Sequence, residues 1–95
     1  MSLSGSRMSK ITMDDVRDEL HSMLARAEAR GVPWVEITAG ELHHAVYRDP
    51  AAARMPMCCE AMYQLQRVGD ELVYAPPKGR GSRVKIRYRL PRRTA

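Results

Sequence analysis

The chain has 95 residues, a length that allows one domain with one modest hydrophobic core and leaves no room for a large cleft between two lobes. Its formal net charge is +5, and the charge is uneven: residues 1–50 carry six Lys or Arg against eight Asp or Glu (−2), whereas residues 51–95 carry ten against three (+7). The basic half predicts a polyanionic partner, usually nucleic acid, with a basic solvated surface as the alternative. The sequence contains no apolar run of roughly 20 residues, so no transmembrane helix is predicted.

The first half of the sequence predicts a polar segment, a helix, a short strand and a second helix. Residues 1–10 have no periodic apolar pattern, and we expect them to be disordered. Thr12 is a helix N-cap, and Gly31 ends the helix that it begins. The β-branched segment 34–38 predicts a strand, and residues 38–41 have the spacing of a capping box that starts the second helix. The apolar stripe of the first helix comprises Val16, Leu20, Met23 or Leu24, and Ala27.

The second half predicts a third helix followed by a β-hairpin. Pro56 suits the first turn of that helix, and Gly69-Asp70 is expected to end it. The two predicted strands are residues 71–77 and 83–90, joined by a glycine-containing loop. A basic tail is expected at residues 92–95. The buried side of the third helix is expected to comprise Cys58, Met62 and Leu65.

A strict alternation of basic and apolar residues marks the last predicted strand. Every odd position from Arg83 to Arg89 is basic, and every even position from Val84 to Leu90 is apolar. Since side chains of a strand alternate between its faces, the pattern predicts one core face and one row of cations. Protection of an edge strand against aggregation is the alternative use of such cations. We predict instead that the hairpin cations contact DNA phosphates: Lys78, Arg80, Arg83, Lys85, Arg87 and Arg89. Four of them are further expected to need no fixed partner within the chain: Arg80, Arg83, Lys85 and Arg87.

The third helix is the predicted recognition helix of a duplex-binding protein. Arg, Gln and Glu can each pair with a base edge in the major groove, but polar residues are also the default on any exposed helix. Contact with the DNA backbone alone is therefore the alternative. The candidate residues are Arg54, Glu60, Tyr63, Gln64 and Arg67.

The remaining reactive side chains do not predict a metal site or an active site. His43-His44 and Cys58-Cys59 are adjacent pairs, and adjacent helical residues diverge by about 100° instead of converging on zinc. A cysteine nucleophile would lack an oxyanion turn and an orienting partner. We therefore expect no cofactor, no metal and no catalysis by this chain alone. No signal peptide is visible at the start, so the expected location is cytoplasmic, with reduced thiols.

The predicted order of elements resembles the winged helix-turn-helix, which gives an α+β fold: a three-helix bundle over residues 11–91 with a small antiparallel sheet whose terminal hairpin is the wing. More locally, "ITAGELHHAV", "RMPMCCEAM" and "PPKGRGSRVKIRYRLPR" resemble a module of small bacterial proteins and of restriction-type (HNH-like) nuclease proteins. The resemblance implies DNA targeting or transcriptional regulation, and a structural role for residues 55–59. It implies no nuclease activity here, because the chain has no nuclease motif.

Two other functions compete with duplex DNA binding. A winged helix can serve as a protein-interaction module, and the acidic outer side of the first helix, with Asp14 and Asp18, would suit a homodimer or a partner protein better than DNA. RNA binding is the other alternative. It ranks lower because unpaired bases stack on exposed aromatic rings, and most tyrosines fall at predicted core positions.

Overall fold

The computed structural model describes residues 11–47, 55–77 and 81–92, which form three helices and one three-stranded antiparallel sheet. The α+β class predicted from the sequence is therefore confirmed. The predicted disorder of residues 1–10 lies outside the described residues, as do Arg54, Lys78, Arg80 and the tail beyond Arg92. In chain order the elements are α1 (Met13–Ala29), β1 (Trp34–Thr38), α2 (Ala39–Tyr47), α3 (Met55–Gln64), β2 (Glu71–Tyr74) and β3 (Lys85–Arg89).

Local capping starts the first two helices where the sequence predicts. Thr12 accepts a hydrogen bond from the backbone N–H of Asp15, whose carboxylate accepts one from the N–H of Thr12. Thr38 and Glu41 exchange the same pair of bonds at the start of α2. Gly31, with φ of +79°, follows α1 in the left-handed region that glycine adopts without strain. Each of these helix start and stop signals lies within four residues, and the sequence therefore predicts these helix boundaries well.

The third helix is shorter than predicted. It ends at Gln64, whereas the sequence analysis extended it to Gly69. Asp70 turns the chain early, because its carboxylate accepts hydrogen bonds from the backbone N–H groups of Arg67 and Arg89, each at 2.7 Å. Leu65 consequently lies beyond the helix and is only half-buried, not buried as expected.

The strand β3 lies in the middle of the sheet, whose order is β1-β3-β2. Ile37 of β1 and Leu72 of β2 both pair with Ile86, and Glu36 and Glu71 both pair with Arg87. Paired residues of antiparallel strands share a face, so the alternating pattern of β3 is continued onto both neighbouring strands. A register irregularity between Leu72 and Tyr74 brings Tyr74 opposite Lys85.

The hydrophobic core lies between the helices and one face of the sheet. The predicted apolar row of β3 is buried there, and Val84, Ile86 and Tyr88 are fully inaccessible. The hydroxyl of Tyr88 donates to the carbonyl oxygen of Met62 at 2.9 Å, which joins the sheet to α3. From the described helices the fully buried side chains are Val16, Leu20, Leu24, Ala27, Ala39, Leu42, Cys58, Cys59, Ala61 and Met62. Because the helices occupy this side of the sheet, the other side lies open.

Candidate nucleic-acid interface

The open side of the sheet, which we call the outer sheet face, gathers most of the cations of the predicted row. It also holds acidic and aromatic side chains from the neighbouring strands, which sequence analysis did not place there. Its members, from the pairing of the strands, are Trp34, Glu36, Thr38, Glu71, Tyr74, Lys85, Arg87 and Arg89.

Arg87 is the centre of an ion-pair network on this face. Its guanidinium donates to Glu36 at 2.8 and 3.1 Å and to Glu71 at 3.4 Å, and it lies 4.6 Å from the centroid of the Trp34 ring. The hydrogen bond with Glu36 raises the pKa of Arg87. The expectation that Arg87 needs no fixed partner within the chain is therefore wrong. The strand register supplies two carboxylates opposite it, and they neutralise the middle of the row.

The other described cations of the row are less engaged. Lys85 approaches Glu36 at 3.9 Å, the outer limit of an ion pair. For the side chains of Arg83 and Arg89, both exposed, no ion-pair partner is found among residues 11–47, 55–77 and 81–92. The positive charge that remains for an external anion is thus concentrated at the two ends of the row.

The base of the β2–β3 hairpin is anchored to two helices. The backbone N–H groups of Ala39 and Gly40, at the start of α2, donate to the carbonyl oxygens of Val84 and Ser82 at 2.9 and 3.0 Å. The thiol of Cys59 lies 3.4 Å from both the N–H and the carbonyl oxygen of Gly81. Arg83 therefore projects from a backbone segment that is fixed on both sides. These bonds also give Cys59 a structural role.

Among the described residues, the candidates for the recognition helix do not form one exposed row. Glu60 and Tyr63 are half-buried, and Tyr63 packs against the core. Gln64 is exposed, but its side-chain oxygen accepts a hydrogen bond from Arg17 of α1 at 2.6 Å. Arg67 lies beyond the end of α3, so the prediction that it belongs to this helix is wrong. Of the ten residues in α3 only Pro56 and Gln64 are classed as exposed.

The cation row and α3 lie on opposite sides of the sheet. Tyr88 points inward to Met62 of α3, and Arg87 and Arg89, its neighbours on β3, point outward because strand side chains alternate. A single straight duplex that contacts α3 cannot also lie along the outer sheet face. Arg83 lies at the end of the row where the hairpin backbone is bonded to the start of α2.

Two exposed aromatic rings on the outer sheet face were missed by the sequence analysis. Trp34 is 47% exposed and Tyr74 is 46% exposed. Their alternation with Val35 and Val73 is too short to show which side is buried, because β1 and β2 contain only five and four residues. The pairing of Trp34 with Arg89 and of Tyr74 with Lys85 shows that both rings lie on the outer sheet face.

The cysteines and histidines form no metal-binding group in the described part of the chain: no three His, Cys, Asp or Glu side chains there are arranged to hold an ion. Cys58 and Cys59 are free thiols with no exposed surface, and burial, followed by the charge of Cys59, raises the pKa of Cys58 to about 11. His43 is buried against Tyr47, with ring centroids 4.9 Å apart. None of the helices that the structure describes is long and apolar enough to cross a membrane.

Comparison with protein-family models, with curated proteins and with solved structures found no match for this chain. The function must therefore be inferred from the side chains and their geometry.

Proposed function

We propose that this protein is a winged-helix protein that binds duplex DNA through the β2–β3 hairpin. The phosphate contacts come from Arg83 and Lys85 at the hairpin base and from the loop cations Lys78 and Arg80, which lie outside the described residues. Regulation of transcription and targeting of a restriction or mobile-element system are the two roles that fit, and the identity of the neighbouring genes distinguishes them.

The observation that carries the proposal is the exposed Arg83 on an anchored hairpin base, with no ion-pair partner in the part of the chain that the structure describes. The order of elements and the sheet order β1-β3-β2 support a winged helix, in which the strand after the first helix completes the sheet of the terminal hairpin. A cation without an internal partner is available to a phosphate, and each phosphate that is neutralised releases counterions from DNA. Arg87 is excluded from the proposed contacts because Glu36 and Glu71 already hold it.

Base reading by α3 has a weaker basis than contact with the DNA backbone. Gln64 would have to leave its hydrogen bond with Arg17 to reach a base edge, and Arg67 does not lie on the helix. We therefore propose binding that depends mainly on salt and only slightly on sequence.

The test is a titration of fluorescently labelled duplexes of several sequences, followed by anisotropy at increasing salt. We expect all duplexes to bind with similar affinities, and affinity to fall steeply between roughly 50 and 200 mM salt, as expected when several phosphates are contacted. The absence of binding to any duplex at low salt, together with a stable dimer in light scattering, would replace this proposal with the protein-interaction function.

A further inference from the structure

The two exposed rings of the outer sheet face stand at diagonally opposite ends. Trp34 of β1 lies opposite Arg89, and Tyr74 of β2 lies opposite Lys85. Four residue steps along β3 and two strand spacings across the sheet separate them by about 16 Å. Both rings are exposed on the one open side of the sheet, so a ligand that spans this distance contacts both.

Each ring borders a shallow cleft that also contains an arginine. Trp34 and Arg89 line the first cleft together with Gly69. Tyr74 and Arg83 line the second, together with the hydroxyl-bearing side chains of Thr38 and Ser82 and with Lys85. Neither arginine has an ion-pair partner within residues 11–47, 55–77 and 81–92. Both clefts thus place an exposed aromatic ring beside an available positive charge. The first is also lined by Glu71 and by Arg87, whose guanidinium lies over one face of Trp34.

This combination matches the two parts of a nucleotide. An unpaired base stacks on an aromatic ring, and the adjoining phosphate pairs with a nearby cation. A base inside a duplex cannot do this, because its faces are covered by its neighbours. The chemistry of the clefts therefore favours a single strand over a duplex.

The centre of the face does not repel a polyanion. Glu36 and Glu71 are bridged by Arg87, and Lys85 lies 3.9 Å from Glu36, so these four charges sum to zero. The guanidinium of Arg87, 4.6 Å from the centre of the indole, also restrains Trp34 before any ligand arrives. A restrained ring loses less conformational freedom on binding.

From these observations we infer that the outer sheet face binds single-stranded nucleic acid, with one base stacked on Trp34, another on Tyr74, and phosphates held by Arg89 and Arg83. This site shares Arg83 with the proposed duplex contact at the hairpin, so a duplex and a single strand compete for that residue, but neither contact requires the other to exist. A strand running diagonally across β3 would occupy both clefts.

Trp34 is the single tryptophan of the chain, so its fluorescence reports on this site directly. The experiment adds an oligothymidylate of about 12 nucleotides, within the usual range for single-strand sites, and follows quenching of the indole emission. We expect saturable quenching by the oligothymidylate and none by a blunt duplex, whose bases are already stacked.

Two substitutions on the same short strand provide the matched comparison. Tyr74→Leu removes the second ring and is expected to weaken oligothymidylate binding by at least about fivefold, the contribution of one stacked base. Leu72→Ala is the control, because Leu72 is 42% exposed but pairs with Ile86 on the inner side of the sheet. We expect it to leave the affinity unchanged, with circular dichroism confirming that both variants fold.

Three results would overturn the inference. The first is the absence of quenching by the oligothymidylate, even if anisotropy still shows duplex binding, in which case the duplex proposal stands alone. The second is equal affinity of the Tyr74→Leu and Leu72→Ala variants. The third is a change in Trp34 emission that depends on protein concentration without any nucleic acid, which would assign the face to a second copy of the chain. Quenching by the single strand without duplex binding would support the site and refute the duplex proposal.

Discussion

Asp70 is the residue on which the connection between α3 and the sheet depends. Its side chain is only 1% exposed and forms an ion pair with Arg92 at 2.8 Å, while the backbone N–H groups of Arg67 and Arg89 also donate to it. Its removal would leave a largely buried guanidinium and two N–H groups without their acceptor. We expect Asp70→Ala to lower the free energy of unfolding by about 2–4 kcal/mol, as measured by urea denaturation.

The control for this prediction is Asp18→Ala, which removes an exposed carboxylate on α1 and should change the free energy of unfolding by less than about 0.5 kcal/mol. Equal effects of the two substitutions would show that the Asp70 network does not stabilise the fold.

The two buried thiols should be unreactive in the folded protein. Cys58 and Cys59 have no exposed surface, and burial raises the pKa of Cys58 to about 11, whereas an exposed thiol has a pKa of about 8.5. Because the thiol loses its proton at lower pH in the unfolded chain than in the folded protein, the raised pKa contributes to folding stability below a pH of about 8.5. That contribution is lost as the pH rises toward about 11. We expect iodoacetamide at pH 8 to modify both thiols much more slowly than in urea, as followed by mass spectrometry. Modification at the rate of the unfolded chain would contradict their burial.

At the scale of the elements, the strand β3 is held by charge as well as by its apolar row. Arg87→Ala removes the cation that bridges Glu36 and Glu71 and that stacks on Trp34. We expect it to lower the melting temperature more than Arg83→Ala does, because Arg83 has no ion-pair partner in the described ranges. Thermal denaturation followed by circular dichroism measures both variants, and equal melting temperatures would show that the bridge adds nothing to the sheet.

The elements differ in how well the sequence predicts them, and the difference follows the range of the interactions. Thr12 and Thr38 begin helices through bonds to residues three positions away, so the sequence alone reveals them. The end of α3 depends on Asp70, whose partner Arg92 is 22 residues away, and the prediction failed there. The alternation of β3 showed that Arg87 faces outward, but only the pairing of three strands places Glu36 and Glu71 beside it.

At the scale of the whole molecule, the sheet separates α3 from the cation row, both of which the sequence analysis assigned to contact with DNA. The helices cover the inner side, and the outer sheet face is open to solvent with a neutralised centre. Among the described residues of the row, the charge without an ion-pair partner lies at the two ends, at Arg83 and Arg89, and not at the centre. The resulting account has a duplex contact at the hairpin base and a single-strand site across the outer sheet face.

The central claim, that the hairpin base binds duplex phosphates, is tested most directly by comparing Arg83→Ala with Arg30→Ala. Both variants lose one exposed cation, but Arg30 follows α1 and does not line the cleft in which Arg83 lies with Tyr74 and Lys85. The measurement is the slope of log K against log salt for duplex DNA. We predict that Arg83→Ala reduces the slope by about one unit on every duplex sequence and that Arg30→Ala leaves it unchanged. Identical slopes for both variants and the parent protein would contradict the claim.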